Sequence, residues 1–282
     1  MALPPALSAL LEPWTFMALS LAYLPPTLFS LLFPPNLSTL LSWPRLQEAW
    51  FGRFWAVIGP NVRTIAEAKV VPLLQGRVTH GIIPTSEDSP APTHPAVSGT
   101  VLEIGPGSGM WTSLYTPRYL PQLTKVYGIE PNPAQHPALR AQIAAAGLDD
   151  STYEIVPLGI QDLAASGKVP LASADCVVTV MCLCSIPDPE QHIKELYGYL
   201  KPGGRWYVYE HVKCYRTQGW GMGLYQSLLN FIWPHFTGGC QMNRDTEKSV
   251  KEAGPWSKVD LHQVDGEPWY FTMPHTIGVL TK

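Results

Sequence analysis

The residues best placed to do chemistry begin at Val101-Leu102-Glu103-Ile104, a short apolar run that leads into Gly105-Pro106-Gly107-Ser108-Gly109. An acid is thus followed by glycines at every second position. A backbone without Cβ atoms lets a ligand lie directly against the turn. The spacing departs from the dinucleotide fingerprint Gly-x-Gly-x-x-Gly. Counted from Gly105, the third glycine position holds Met110; counted from Gly107, it holds Thr112. Glu130 ends a second apolar run, Lys125 to Glu130, 21 residues after Gly109. A carboxylate at the tip of a neighbouring strand can accept both hydroxyls of a ribose. The glycine turn and the acid together point to a nucleoside ligand, and Asn132 in the following Pro131-Asn132-Pro133 turn is counted with them. A surface acid at a strand end is the other reading of Glu130. His211, just past a run of apolar residues, is the candidate general base, with Glu210 beside it able to orient the ring. A hydrogen-bonded structural histidine is the competing reading. Cys182 and Cys184, read as part of a strand, find no second pair or histidine cluster to complete a tetrahedral site. They read as small buried hydrophobes, and no metal is expected.

These residues need a parallel sheet to bring them together. After the two runs above comes an Ala-rich helix from Pro137 to Gly147, then a strand from Tyr153 to Leu158. Asp175 to Cys184 is nearly all apolar, as a central strand covered on both faces must be. A helix from Glu190 to Leu200, the turn Lys201-Pro202-Gly203-Gly204 and the strand Arg205 to His211 follow. A helix over Asn243 to Ala253 precedes two strands, Val259 to Val264 and Thr276 to Thr281, which read as an antiparallel hairpin. Open α/β sheets bind ligands outside the carboxyl ends of their strands. Met181 to Ser185 and His211 are therefore expected on the ligand side.

The composition sets bounds. A chain of 282 residues, 46% hydrophobic, can bury a substantial core. A net charge of −3 with no basic block excludes nucleic acid as the expected partner. Five cysteines at irregular spacing suit a reducing compartment. Nothing in the sequence speaks to oligomeric state. Four regions are expected: a hydrophobic segment 1–44 broken by prolines, a helical region 45–83, a Pro-rich linker 84–97 and a catalytic domain 98–282. Before Arg45 the only charged side chain is Glu12, and the longest Pro-free apolar piece, Trp14 to Leu24, has eleven residues. A spanning helix needs roughly 20, and no Lys or Arg forms the n-region of a secretory signal. Three readings are carried for the segment: it lies in a membrane or lipid-droplet surface, it folds over the site as a lid, or, least expected, it truly spans a bilayer. The expected location is intracellular, cytoplasmic or peripheral to the endoplasmic reticulum or lipid droplets.

Glu103-x-Gly105-x-Gly107-x-Gly109 resembles motif I of the Rossmann-like S-adenosylmethionine (SAM) methyltransferases. Leu200-Lys201-Pro202-Gly203-Gly204 before an aromatic strand is similar to another of their signatures. With Cys182-Leu183-Cys184-Ser185-Ile186, Tyr209-Glu210-His211-Val212, Gly239-Cys240-Gln241-Met242-Asn243-Arg244 and Pro274-His275-Thr276-Ile277-Gly278, residues 98 to 282 resemble the membrane-associated methyltransferase-like family whose animal members are alkyl-thiol S-methyltransferases. The glycine loop is more like that of fungal relatives, some of which tailor secondary metabolites. The resemblance implies a seven-stranded, mostly parallel α/β sheet closed by an antiparallel hairpin, with a hydrophobic helical appendage in front. It implies SAM as cofactor, bound by Glu103, Gly105, Gly107, Gly109, Glu130 and Asn132, with Met181 towards the methyl group. Gln161 or Asp162 would meet the adenine, Asp162 being equally readable as a helix N-cap. The family has Asp at position 130 and Gly-Glu-Asn where this chain has Gly159-Ile160-Gln161. The implied reaction is methylation of an oxygen or sulfur on a small hydrophobic molecule, a secondary-metabolite intermediate. Trp220, Tyr225 and the stretch Asn230 to Phe236, with His235, are expected over the acceptor. A methyltransferase fold guiding a non-methylating pericyclic step and a lipid-droplet binding module are the alternatives.

Overall fold

The computed structural model describes residues 3–84 and 91–282. Seven strands form one sheet in the order β3-β2-β1-β4-β5-β7-β6. They are β1 (Gly99–Ile104), β2 (Leu123–Ile129), β3 (Tyr153–Val156), β4 (Ala174–Val180), β5 (Leu200–His211), β6 (Lys258–Gln263) and β7 (His275–Thr281). Strands β1 to β5 pair in parallel, and β7 runs antiparallel to both β5 and β6. This is the expected sheet and hairpin. The central strands are buried on both sides, Val101, Val126, Val178 and Tyr207 facing one core and Leu102, Ile129, Val177 and Trp206 the other. That double burial is why β4 reads as an unbroken apolar run.

Register decides where the chemistry goes. Ile104 is level with Ile129 on one side and Thr179 on the other. The chain therefore leaves β1, β2 and β4 at the same edge of the sheet, delivering Gly105, Glu130 and Met181 to neighbouring positions. The strand order reverses between β1 and β4, which is where open α/β sheets bind ligands.

The helices are α1 (Pro5–Ala22), α2 (Leu24–Leu32), α3 (Leu37–Leu40), α4 (Trp43–Leu74), α5 (His136–Ala145), α6 (Ile160–Ser166), α7 (Pro189–Tyr199), α8 (Trp220–Asn230), α9 (Trp233–Phe236) and α10 (Thr246–Lys251). The prolines of residues 1–44 break the chain less than expected. Pro5 and Pro25 sit in first helical turns, where a missing N–H costs nothing, and Pro13 lies inside α1. Together α1 and α2 are long and apolar enough to cross a membrane by length and composition. One side of α1 is nevertheless fastened to the domain. The Trp14 indole donates to Tyr225 Oη at 2.8 Å, Ser20 Oγ donates to the Phe236 carbonyl at 2.6 Å, and Met17 is buried with Trp233.

The Pro-rich linker falls partly outside the described residues, at 85–90. Its second half is docked rather than loose. The His94 and Val97 amides donate to the carbonyls of Gly76 and Leu74, and His94 Nε2 lies 2.7 Å from Asp260 Oδ2.

Candidate active site at the carboxyl ends of the sheet

Gly105, Gly107 and Gly109 all have left-handed backbone, with φ of +63°, +57° and +85°. A Cβ on Gly105 would stand 2.8 Å from Cys182 Cβ, so only glycine lets the turns after β1 and β4 approach. Gly107 faces outward beneath α4, the Trp55 ring lying 3.8 Å from where its Cβ would be. Gly109 gives room to α5, where Gln142 and Leu139 would meet its Cβ at 2.8 and 3.0 Å. Glu130 is 5% exposed, and its carboxylate accepts the amides of Gly107 at 2.8 Å and Asn132 at 2.9 Å. Burial raises its pKa, and the two amides oppose the rise. Asn132 turns its side chain elsewhere, donating to the Glu48 carbonyl of α4 at 3.3 Å and accepting the Ala134 amide. Met181 adopts φ +53° directly after β4, and its amide donates to the Tyr209 carbonyl at 2.8 Å.

The other three residues expected at the cofactor have different surroundings. Glu103 accepts the Tyr153 hydroxyl in the buried core, so its carboxylate links β1 to β3 instead of reaching past the strand tip. Gln161 is exposed and folds back over Gly159, whose Cβ would lie 2.3 Å from its amide atoms. Asp162 is not an N-cap, because α6 begins two residues earlier; it lies exposed in the first turn. There its charge complements the helix dipole.

The loop after β4 corrects the strand placement of Cys182 and Cys184, though Cys184 is buried among hydrophobic side chains as expected. Strand β4 stops at Val180, and both cysteines lie beyond it. Glu210, wholly buried, accepts the amides of Cys182 and Leu183, each at 3.2 Å, and so pins that loop to the end of β5. Burial and the Cys184 sulfur push the Glu210 carboxyl up to about 8. The histidine cluster that the sequence did not suggest does assemble: ligating atoms of Cys184, His211 and Cys240 all lie within 4.8 Å of one another, and all three residues are buried. His211 Nε2 is 3.2 Å from Cys240 Sγ, to which the Trp233 indole also donates at 3.3 Å. Among the described residues His211 Nδ1 has no hydrogen-bond partner. Met17, Leu229, Trp233 and Met242 pack with the two cysteines, and Phe16, Tyr225, Phe236 and Met273 close around them. Of the aromatic residues expected over the acceptor, Tyr225 and Trp233 are there, whereas Trp220 is 85% exposed and His235 is exposed.

Residues 83–246 match the family model described as "Methyltransferase domain". The chain belongs to that family. Thiol S-methyltransferase TMT1B of Rattus norvegicus is 32% identical over 186 residues, covering 65% of this chain and 70% of that protein. Thiol S-methyltransferase TMT1B of Homo sapiens is 26% identical over 257 residues, covering 89% of this chain and 94% of the relative. In fold, the chain is similar to the [4+2]-cyclase SpnF, with a TM-score of 0.51 at 16% identity over 82% of this chain and 94% of that one.

The cofactor of this methyltransferase is S-adenosyl-L-methionine. The residues present fit it: a glycine turn with left-handed backbone at Gly105, Gly107 and Gly109, where among the described residues only the Trp55 ring stands within 4 Å of the Gly107 Cβ position, and beside it a carboxylate at the tip of β2 with lone pairs beyond the two amides it accepts. We propose Gly105, Gly107 and Glu130 as its principal holders. Cys240 was missed in the sequence because it lies 29 residues from His211 and joins it only through tertiary contacts. The signal for it was the Gly239 to Arg244 stretch, which the family resemblance had already picked out.

Proposed function

We propose that this methyltransferase methylates the sulfur of a small apolar thiol and that His211 takes the acceptor's proton. SAM supplies a methyl group on a sulfonium, which a nucleophile held in line can displace. The protein's part is to hold the nucleophile close and keep the site dry. A thiol is a poor nucleophile until ionised, so a base near the acceptor helps. The observation that carries this reading is the buried His211 imidazole at the tip of β5, its Nδ1 without a partner among the described residues, beside two cysteines that are themselves packed among Met, Trp and Tyr side chains. Relatives named as thiol S-methyltransferases support sulfur over oxygen as the acceptor atom. A secondary-metabolite thiol remains the substrate we favour. An acceptor screen with labelled SAM tests this. Label should enter organic-soluble thioethers from apolar thiols. Transfer to phenols with none to thiols would overturn it.

We further propose that α1 to α3 rest on a membrane or lipid-droplet surface without crossing it. The side of α1 turned away from the domain carries Leu7, Leu11 and Leu19, each at least 40% exposed, and Phe29 and Phe33 beyond it are 67% and 69% exposed. Helix α8 adds an exposed apolar row, Trp220, Leu224 and Leu228, with Phe231 just after it. The contacts from Trp14 and Ser20 to the domain favour lying on lipid over spanning it.

A further inference from the structure

A histidine that removes a proton must present a lone pair, and its other nitrogen must carry hydrogen. In serine hydrolases a buried carboxylate fixes that choice by accepting the second N–H. Among the described residues no carboxylate oxygen bonds either nitrogen of His211, and Glu210 spends its oxygens on the loop amides of Cys182 and Leu183. What meets the ring instead is sulfur. Nε2 lies 3.2 Å from Cys240 Sγ, with Cys184 Sγ in the same cluster. We propose that the Cys184–Cys240 pair is the positioning group of the reaction, accepting the Nε2–H of His211 and so leaving the Nδ1 lone pair for the acceptor thiol.

Three features support this beyond the single distance. The sulfurs are held from outside the cluster. The Gln241 amide donates to the Cys184 carbonyl at 3.0 Å, and Arg244 Nη1 donates to the carbonyls of Leu183 and Ile186, each at 2.7 Å, which ties the Cys240 loop to the Cys184 loop. The Trp233 indole N–H also donates to Cys240 at 3.3 Å, which fixes that sulfur beside the ring. Nδ1 is buried without a partner among the described residues, and such a group in a native fold calls for a ligand. Electrostatics agree: the Cys240 thiol and the His211 ring hold the Cys184 thiol well below its ordinary range. That charge also favours the imidazolium formed when the proton arrives. In the step itself, the acceptor S–H bond breaks, the proton joins Nδ1, and the electron pair stays on the acceptor sulfur, ready to bond a methyl carbon whose bond to the sulfonium sulfur of bound SAM would break, that pair returning to the leaving sulfur as a neutral thioether.

This inference rests on thiol methylation, and its test separates the two. Wild type, Cys240→Ala and Cys240→Ser are compared with an alkyl thiol, protonated at neutral pH, and an aryl thiol, already ionised there. Loss of positioning should slow Cys240→Ala about tenfold or more with the alkyl thiol and leave the aryl thiol within about twofold, a base being needed only for the first. Cys240→Ser, which keeps an acceptor for Nε2–H, should recover part of the loss. Unchanged SAM affinity would establish that the variants fold. Equal losses with both thiols would overturn the proposal, as would full activity of Cys240→Ala. Stoichiometric zinc in the purified protein, released together with activity by a chelator, would also overturn it and make His211 a ligand. Nitrogen NMR on labelled histidine reads the tautomer without any acceptor: Nε2–H in wild type, lost or mixed in Cys240→Ala. If no thiol is methylated but this signature holds, the substrate reading fails and the positioning contact stands. A wild-type Nδ1–H tautomer would refute the positioning contact whatever the acceptor.

Discussion

The Glu130 carboxylate accepts the Gly107 amide at 2.8 Å, joining the tip of β2 to the turn that follows β1. One side chain therefore shapes the glycine turn and, on the reading proposed above, offers its remaining lone pairs to the ribose of SAM. Glu130→Ala should weaken SAM binding by about 1.5–3 kcal/mol, the scale of hydrogen bonds to a charged group left unmade. Isothermal titration reads this directly. Unchanged affinity would show that the ribose is held elsewhere.

His211→Ala should slow methylation of an alkyl thiol by about 10²- to 10⁴-fold while leaving SAM affinity intact. Single-turnover kinetics would separate the chemical step from binding. Full activity would make the residue structural.

The pH profile should carry the imprint of the sulfur pair. Burial pulls the His211 pKa down, but the Cys184 sulfur pulls it up further, so the ring titrates above its ordinary 6.5. Glu210 also raises it, Arg244 opposes, and Cys240 and His275 complete the ionisable surroundings. The neutral ring is the base, so kcat/KM for an alkyl thiol should rise with pH through an inflection above 6.5. Cys184→Ser removes the neighbouring negative charge and should move that inflection to lower pH. An inflection that stays put would contradict the assignment.

Two buried carboxyls should make the fold less stable in base. Burial raises Glu103 to about 7 and Glu210 to about 8, from 4.5. Below 4.5 both are protonated whether the chain is folded or not, so their full contribution is present there; it is lost as pH rises through the folded values. For Glu103 the loss is about 3 kcal/mol by pH 8. Glu103→Gln keeps a partner for Tyr153 and should flatten the fall in melting temperature between pH 5 and pH 8. A variant with the wild-type slope would refute the linkage.

Lipid attachment calls for a test that leaves α1 in place, because deleting residues 1–44 would uncover Trp233 and Phe54 along with any membrane face. Lysine at Leu7, Leu11 and Phe29, all exposed, should release the protein from liposomes with little change in melting temperature. Each exchange puts a charge where apolar area met lipid. Retention of the triple variant on liposomes would assign those residues another role.

Sequence alone fixed the scaffold of this methyltransferase, since local chemistry encodes it. Apolar runs of strand length, glycines that only a bare turn can use and an acid at the next strand's tip follow from backbone sterics and solvation. The order of those elements was enough to give the parallel strands, the hairpin and a nucleoside site, while the resemblance to known methyltransferases supplied the seven-stranded sheet and SAM. The sequence did not show that Glu103 meets Tyr153, that Gln161 folds over Gly159 or that Asp162 lies within the first turn of α6, because type and spacing do not say where a side chain points. It also did not bring Cys184 beside His211, since nothing local announces a partner 56 positions away at Cys240. Tertiary packing decided that: Glu210 pins the loop after β4, Arg244 draws the Cys240 loop against it, and the two sulfurs meet His211 in a place that water does not reach.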